Sequence, residues 1–204
     1  MSPERWQRLM TSLNAPESRD VFIDLVAAYS EGHRHYHTAA HIADCLTQLD
    51  EAVPLMETPT EVELALWFHD AIYKPRSLNN ELKSAKRARA FLEAIGATED
   101  RRTRVYRHIL ATKHDAQPSD KDAMFVVDID LSILGRGPDE YDRFEQNVRK
   151  EYKWVPWSIY SKKRREILES FLARSAIYST EYFRSRYETP ARRNLLSAIE
   201  GLRK

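Results

Sequence analysis

Three separated stretches of this 204-residue sequence contain histidine and aspartate side chains that could bind one metal ion together. They are His41, the adjacent pair His69-Asp70, and an aspartate within residues 127–131. Each stretch has the apolar pattern of a packed helix, where an unpaired buried charge costs on the order of several kcal/mol. Imidazole nitrogens and carboxylate oxygens are common metal ligands, so one shared cation would compensate all of them. The sequence therefore predicts a metal site built from distant parts of the chain.

The last stretch offers two aspartates, Asp128 and Asp130, in the most hydrophobic segment of the sequence. A buried carboxylate without a partner takes up a proton, so both aspartates need partners. Arginines or helix caps would serve as well as a metal ion, and a single His-Asp pair is a common dipeptide. The recurrence of donors on three separate segments favours the metal.

Helices must position these residues. The whole chain has only five glycines, and it is rich in residues that favour helices. Apolar residues recur at intervals of three and four in residues 38–53 and 60–73, which predicts two amphipathic helices. In the second of them, His69 lies where a leucine would be expected. Residues 124–134 are apolar on nearly every side and predict a short buried helix that ends at Gly135.

We predict an all-α fold, a single-domain helical bundle that covers residues 1–204. Its core is expected at about residues 34–135, with C-terminal helices at about residues 138–204 packed on it. The last two helices are predicted at residues 158–178 and 190–203, the final one starting at Pro190. No internal repeat or Gly/Ser-rich linker indicates a second domain.

Composition bears on partners and compartment. The 32 basic and 31 acidic residues nearly cancel, so no global field favours nucleic acid, which we do not expect as a partner. The single cysteine, Cys45, has no intramolecular disulfide partner, which fits a reducing compartment. The first residues show no signal-peptide pattern, and no apolar run reaches the length of a membrane span. These features predict a soluble cytoplasmic protein without a membrane partner.

The C-terminal third holds a basic run at residues 162–165 and four aromatic residues between 152 and 160. A basic run can indicate nucleic acid binding. On a helix, however, four consecutive residues spread around the circumference, and Glu166 and Glu169 follow. We interpret the run as a solvated face. We interpret the aromatic residues as a helix-helix corner around Pro156, which could also form one wall of a substrate pocket.

The order of these residues resembles the HD superfamily of metal-dependent phosphohydrolases, named after its His-Asp pair. The resemblance is most detailed to a branch of small bacterial HD-domain proteins, and it extends from about residue 34 to about residue 202. The motifs that support it are Tyr36-His37-Thr38-x-x-His41-Ile42, Phe68-His69-Asp70-Ala71-x-Tyr73, Asn80-Glu81-x-x-Ser84-Ala85, Asp128-Ile129-Asp130-Leu131-x-Ile133-Leu134-Gly135 and Glu188-x-x-Ala191-Arg192-x-Asn194-Leu195.

The resemblance implies an all-helical bundle whose central helices hold the metal. Four residues of this sequence match its ligands: His41, His69, Asp70 and Asp130. Of the two neighbouring aspartates, the resemblance favours Asp130 over Asp128 as the ligand. Such a donor set suits a divalent ion, namely manganese, iron, cobalt, nickel, zinc or magnesium, without selecting among them.

The activity implied by the resemblance is hydrolysis of a phosphoester by water activated on the metal ion. The substrate would be a nucleotide or another small phosphorylated metabolite. Asp70, Glu81 and His114 match positions expected to serve catalysis. Glu81 could equally be a carboxylate that the positive end of a helix favours. His108 is a further histidine in the same region, and it matches less well than His114.

Four residues close to the expected ligands could bind a substrate phosphate, namely Lys74, Arg76, Lys113 and His37. Each lysine and arginine among them could also be an ordinary surface residue. Two other functions stay open at this point. One is a non-catalytic HD module that binds a metal or nucleotide as a sensor, and the other is a purely structural helical protein.

Overall fold

The computed structural model describes residues 1–203, and within them it contains ten α-helices and no strand. The helices are α1 (Pro3–Ser12), α2 (Arg19–Tyr29), α3 (Ala39–Ala52), α4 (Pro59–Phe68), α5 (Asn80–Ala94), α6 (Glu99–Ala111), α7 (Lys121–Asp130), α8 (Pro138–Glu151), α9 (Trp157–Leu172) and α10 (Glu181–Gly201). Short 3₁₀ helices follow α3 and α7, at Val53–Leu55 and Leu131–Gly135. The prediction of an all-α protein is confirmed.

The chain forms two compact units, Met1–Asp130 and Leu131–Lys204. The division falls directly after Asp130, the last residue of α7. The predicted single domain over residues 1–204 stays a prediction. No helix within residues 1–203 combines the length and the hydrophobicity that crossing a membrane requires.

The first unit is organised around α4, which contacts α1, α3, α5, α6 and α7. Helix α4 is apolar on nearly every side, and six of its residues have no exposed surface: Val62, Leu64, Ala65, Leu66, Trp67 and Phe68. A helix of this composition is stable only when neighbours cover all of its faces. The end of α4 is therefore fixed from several directions at once.

Aromatic rings pack around one side of α4. The ring of Trp6 in α1 meets Trp67 edge to face, with centroids 5.3 Å apart, and lies 5.8 Å from Phe91 of α5. Phe68 stacks on Phe91 at 5.5 Å. Large buried aromatic side chains contribute much of the hydrophobic stabilisation of a small core.

Two buried carboxylates fix the other end of α4. Glu61 accepts hydrogen bonds from Arg104, at 2.7 and 2.8 Å, and from Arg101 at 3.2 Å. Asp122 accepts from the backbone N–H and the hydroxyl of Thr58, both at 2.6 Å. Each of these charges is thus matched by donors of the protein itself, as burial requires.

Three predicted helix boundaries differ from the structure. The helix predicted at residues 60–73 ends at Phe68, and the segment predicted at 124–134 is α-helical only to Asp130 and then continues as a 3₁₀ helix. The helix predicted at 158–178 ends at Leu172.

The last helix also differs, because it starts at Glu181 and runs through Pro190 instead of beginning there. A proline inside a helix removes one backbone hydrogen bond and costs about 3 kcal/mol. The hydroxyl of Thr180 caps the true start by accepting from the N–H of Phe183. Phe183, Ala191 and Leu195 are fully buried, and this packing offsets the cost of the proline.

The second unit is held together by contacts between α10 and the 3₁₀ helix Leu131–Gly135. Asn194 of α10 donates to the carbonyl oxygens of Leu134 and Arg136, at 2.9 and 2.8 Å. The hydroxyl of Tyr178 donates to the carbonyl of Leu131 at 3.0 Å. A Cβ atom at Gly135 would lie 2.5 Å from Cβ of Tyr187, so only glycine allows α10 to approach this closely.

We expect Gly135→Ala to lower the free energy of unfolding by about 2 kcal/mol or more, because the added methyl group must push α10 away. Gly137→Ala is the matched control, since a Cβ at Gly137 has no atom within 4 Å. It should cost less than about 1 kcal/mol, the loss expected at a helix N-cap. Urea unfolding of both variants measures the difference, and equal midpoints would contradict the close contact.

Candidate metal centre

The predicted metal ligands lie at the ends of three helices of the first unit. His41 is in the first turn of α3, which the Thr38 hydroxyl caps by accepting from the N–H of Ala40. His69 is the C-cap of α4, and Asp70 follows it. Asp130 is the last residue of α7. The structure brings these four side chains together.

The two histidines face each other through the same ring atom. Nε2 of His41 lies 3.2 Å from Nε2 of His69. Oδ1 of Asp130 lies 3.1 Å from the first nitrogen and 3.5 Å from the second. Oδ2 of Asp70 lies 3.1 Å from Nε2 of His69 and 3.8 Å from Nε2 of His41. Two nitrogens and two carboxylate oxygens therefore point at one small volume.

This spacing matches that of ligand atoms around one ion. Atoms about 2.1 Å from a metal stand about 3.4 Å apart in tetrahedral geometry. His41, His69 and Asp130 each offer one ligand atom, and these atoms lie within 4.8 Å of one another. The two histidines are buried, while the side chain of Asp130 is 15% exposed. This group could hold a metal ion, and Asp70 adjoins it.

The protein orients the ring of His69. Its Nδ1 lies 3.0 Å from the carbonyl oxygen of Leu66, and a carbonyl can only accept, so Nδ1 bears the hydrogen. In the neutral ring, Nε2 then presents its lone pair to the group. A histidine held in this way by its second nitrogen is the usual arrangement of a metal ligand.

Electrostatics within the group favour positive charge at its centre. Burial lowers the pKa of His69, but the carboxylates of Asp70 and Asp130 outweigh it and hold this pKa well above its usual range. Burial raises the pKa of each aspartate, but the surrounding histidines, with His69 as the strongest, together more than offset it, and both carboxyl groups have a pKa below their usual range. Both carboxylates therefore stay ionised. Their negative charge must be balanced by a positive charge between them, either a proton or a metal ion.

His114 joins the group through the second oxygen of Asp130. Its Nε2 lies 3.0 Å from Oδ2 of Asp130, whereas Oδ1 faces His41 and His69. The backbone of His114 has φ +60°, a left-handed conformation that is uncommon outside glycine. The turn after α6 therefore holds His114 against the proposed ligand.

His37 and Tyr36 form one wall beside the group. The ring of His37 stacks on Tyr73 at 4.1 Å, and its charge contributes to the lowered pKa of Asp70 after that of His69. The ring of Tyr36 lies 4.7 Å from that of His41. Burial, followed by the Asp130 carboxylate, raises the pKa of Tyr36 well above its usual range, so its hydroxyl remains protonated. Tyr36 was not among the predicted site residues.

Glu81 lies in the first turn of α5, near Lys113. Lys113 forms an ion pair with Asp115, and this contact, followed by the weaker influence of Glu81, raises the pKa of Lys113. The structure therefore places Glu81 and Lys113 close enough to interact. Their predicted roles toward a substrate stay predictions.

Helix α5 fixes the turn that follows His69. The N–H of Ile72 donates to the hydroxyl of Ser84, which donates in return to the Ile72 carbonyl. Asn80 makes the same reciprocal pair with the backbone of Lys74, both at 3.1 Å. Through these contacts, Asn80 and Ser84 hold the backbone of the turn. The same contacts explain why α4 ends at Phe68. Lys74 and Arg76 are exposed on this turn.

Arg34, which was not among the predicted site residues, connects two parts of the site. Its guanidinium donates to the carbonyl oxygens of His37 and Asp70, at 3.0 and 2.8 Å, and to that of Ala71 at 3.4 Å. The side chain is fully buried. It lies over the ring of Tyr29 at 5.2 Å. Arg34 thus joins the segment before α3 to the turn that contains Asp70.

Asp128 is fully buried on α7, two residues before Asp130. Two residues along a helix are about 200° apart around its axis, so the two side chains cannot point the same way. Among the described residues, the group with His41 and His69 contains Asp130 and not Asp128. The geometry therefore agrees with the preference for Asp130, while its binding of a metal stays a prediction.

His108, the weaker of the two additional histidines, lies outside the group. Its Nε2 is 3.1 Å from Oδ1 of Asp120, and its Nδ1 is buried with no hydrogen-bond partner in the described residues. Burial lowers the pKa of His108 below its usual range, although Asp120 opposes this. His108 is a structural residue between α6 and the start of α7.

Comparison of this chain with protein-family models, with curated proteins and with solved structures gives no match.

We expect Arg34→Met to lower the free energy of unfolding by about 3 kcal/mol, because buried carbonyl groups lose their donor. Arg8→Met on the exposed face of α1 is the control and should change it by less than about 0.5 kcal/mol. Urea unfolding at neutral pH compares the two. If both variants unfold at the wild-type midpoint, Arg34 does not fix the turn.

His108 gives a pH prediction whose sign follows from its lowered pKa. The unfolded state, with a histidine pKa near 6.5, binds the proton more readily than the folded state. The stability that depends on neutral His108 is therefore complete above about pH 6.5 and declines as the pH falls through the folded value. In His108→Gln this decline should be absent, so the stability advantage of the wild type should shrink from pH 7.5 to pH 5. Parallel curves for the two proteins would refute this assignment.

Proposed function

We propose that this protein is a metal-dependent phosphohydrolase of the HD type, in which His41, His69, Asp70 and Asp130 hold a divalent ion. The observation that supports this most directly is the meeting of two imidazole Nε2 atoms, 3.2 Å apart, between two ionised carboxylates. A cation bound at the centre would balance the two carboxylates, so no hydrogen-bond donor from another side chain is needed. Manganese, iron, cobalt, nickel, zinc and magnesium all suit these ligands.

A divalent ion bound to such a set acidifies water and offsets the negative charge of a phosphate group. The residues of the chain would supply the rest. Asp130 Oδ2 accepts a hydrogen bond from His114 Nε2, so this histidine can hold or release a proton beside the ion. His37 and the protonated hydroxyl of Tyr36 would provide further donors, since both rings adjoin His41.

The substrate we propose is a nucleotide or another small phosphorylated metabolite. Lys74 and Arg76 lie exposed on the turn that Asn80 holds beside Asp70, where cations could bind phosphate oxygens. Glu81, in the first turn of α5, contributes to the raised pKa of Lys113 after Asp115. We assign Glu81 the role of a general acid or base, and Lys113 that of a phosphate contact.

The test combines metal analysis with turnover. Protein purified without chelator should contain about one divalent ion per chain, and it should release phosphate from at least one member of a panel of nucleotides and sugar phosphates. Asp130→Asn and His69→Ala should lose the metal and lower kcat/KM by about 100-fold or more, because they remove ligands. Asp128→Asn is the matched control and should retain the metal, even if it is less stable.

The outcomes separate the candidate functions. Metal without turnover would favour a non-catalytic binding module over an enzyme. An unchanged metal content in Asp130→Asn would reject this ligand set. A protein with neither bound metal nor metal-dependent phosphate release would contradict the proposal as a whole.

A further inference from the structure

The second unit carries an excess of positive charge. Residues 131–204 contain 16 basic and 10 acidic residues, a net charge of +6, whereas residues 1–130 contain 16 and 21, a net charge of −5. The excess is concentrated between the end of α8 and the first half of α9. Residues 149–165, here called the α8–α9 corner, include seven basic residues and a single acidic one, the buried Glu151.

Some of these basic side chains bind other groups of the protein, and others are exposed to solvent. Arg164 pairs with Glu145 in a half-buried contact, and Arg149 donates to the carbonyl oxygens of Tyr152 and Val155. Four lysines of the corner are exposed, namely Lys150, Lys153, Lys162 and Lys163, and Lys163 also forms an ion pair with Glu166. The positive end of the α9 helix dipole lies at the same place and adds to their field.

Large apolar side chains are exposed among these lysines. Trp154 and Trp157 are each 49% exposed, and Ile159 is 54% exposed. All three fall within six consecutive residues at the turn into α9. Arg149 braces this turn, with its guanidinium 5.7 Å from the Trp157 ring and 4.6 Å from that of Tyr160. The α8–α9 corner therefore presents apolar and cationic side chains to solvent in a fixed arrangement.

The combination fits the interface of an anionic lipid bilayer. Tryptophan rings prefer the headgroup level of a membrane, and lysines extend from there to the lipid phosphates. Single-stranded nucleic acid fits less well, because bases stack on aromatic faces while Ile159 offers none and Arg149 covers one side of Trp157. A second copy of the chain that docked through its own α8–α9 corner would bring like charges together.

We propose that the α8–α9 corner binds the surface of membranes that contain anionic lipids. Trp154, Trp157 and Ile159 enter the headgroup region, and the exposed lysines contact the lipid headgroups. This contact needs no membrane-spanning helix and is independent of the proposed metal centre. It departs from the sequence-based expectations of a solvated face and of no membrane partner.

Co-sedimentation of the full-length protein with vesicles tests the proposal. The protein should bind vesicles of phosphatidylcholine mixed with phosphatidylglycerol, should not bind phosphatidylcholine alone, and should dissociate as salt is added. Brominated lipid should quench part of the tryptophan fluorescence. That quenching would report on the corner, because Trp6 and Trp67 are buried.

Two double variants that remove the same charge from different places test whether the α8–α9 corner is the binding surface. Lys153→Gln combined with Lys162→Gln should lower the partition coefficient by about 20-fold, the effect expected of two lysines near an anionic surface. Lys83→Gln combined with Lys86→Gln removes the same charge from the exposed face of α5 and should have little effect. Trp154→Ser should reduce quenching while leaving the salt dependence in place.

Three results would overturn the proposal. One is the absence of binding to the anionic vesicles at low salt. Another is an equal loss of binding in the two double variants, which would indicate attraction without a defined surface. The third is tight binding of an oligonucleotide, or self-association, that depends on Lys153 and Lys162 while vesicles are not bound.

Discussion

The constraint on which the first unit depends is the charge balance among four buried or half-buried side chains. Asp70 and Asp130 remain ionised next to His41 and His69, although burial opposes their charge. Such a group is stable only if a cation lies within it, and only if the ends of α3, α4 and α7 stay in register to within about 1 Å. The all-round packing of α4 provides that register.

The site is positioned through the backbone as much as through its ligands. Arg34 reaches carbonyl oxygens on both sides of the group, while Ser84 and Asn80 hold the turn after His69 by its N–H and C=O groups. Because these backbone groups bind side chains, they cannot form the hydrogen bonds that would continue α4. Helix α4 therefore ends at Phe68, and Asp70 lies in the turn that follows His69.

This also explains what the sequence could predict. Apolar periodicity depends on residue types, so it predicts which segments are helical and which faces are buried. The resemblance of His41, the His-Asp pair and Asp130 to the HD motifs predicts the members of the group, because those motifs also consist of residue types. Arg34 escapes prediction because its partners are carbonyl oxygens, which every residue possesses. Helix ends and Pro190 escape it because distant contacts decide whether a backbone hydrogen bond is kept or replaced.

Burial of charge alone does not mark a metal site, and α4 shows the difference at its two ends. At its start, Glu61 and Asp122 are buried as deeply as the histidines, but arginines and backbone N–H groups satisfy them completely. At its other end, two carboxylates face imidazole nitrogens that also face each other, and the raised pKa of His69 shows that this group attracts positive charge, whether a proton or a metal ion. Hydrogen bonding within the protein can satisfy the first arrangement, whereas the second is balanced only by adding positive charge. That distinction, rather than the number of buried polar residues, favours a metal ion at the end of α4 and not at its start.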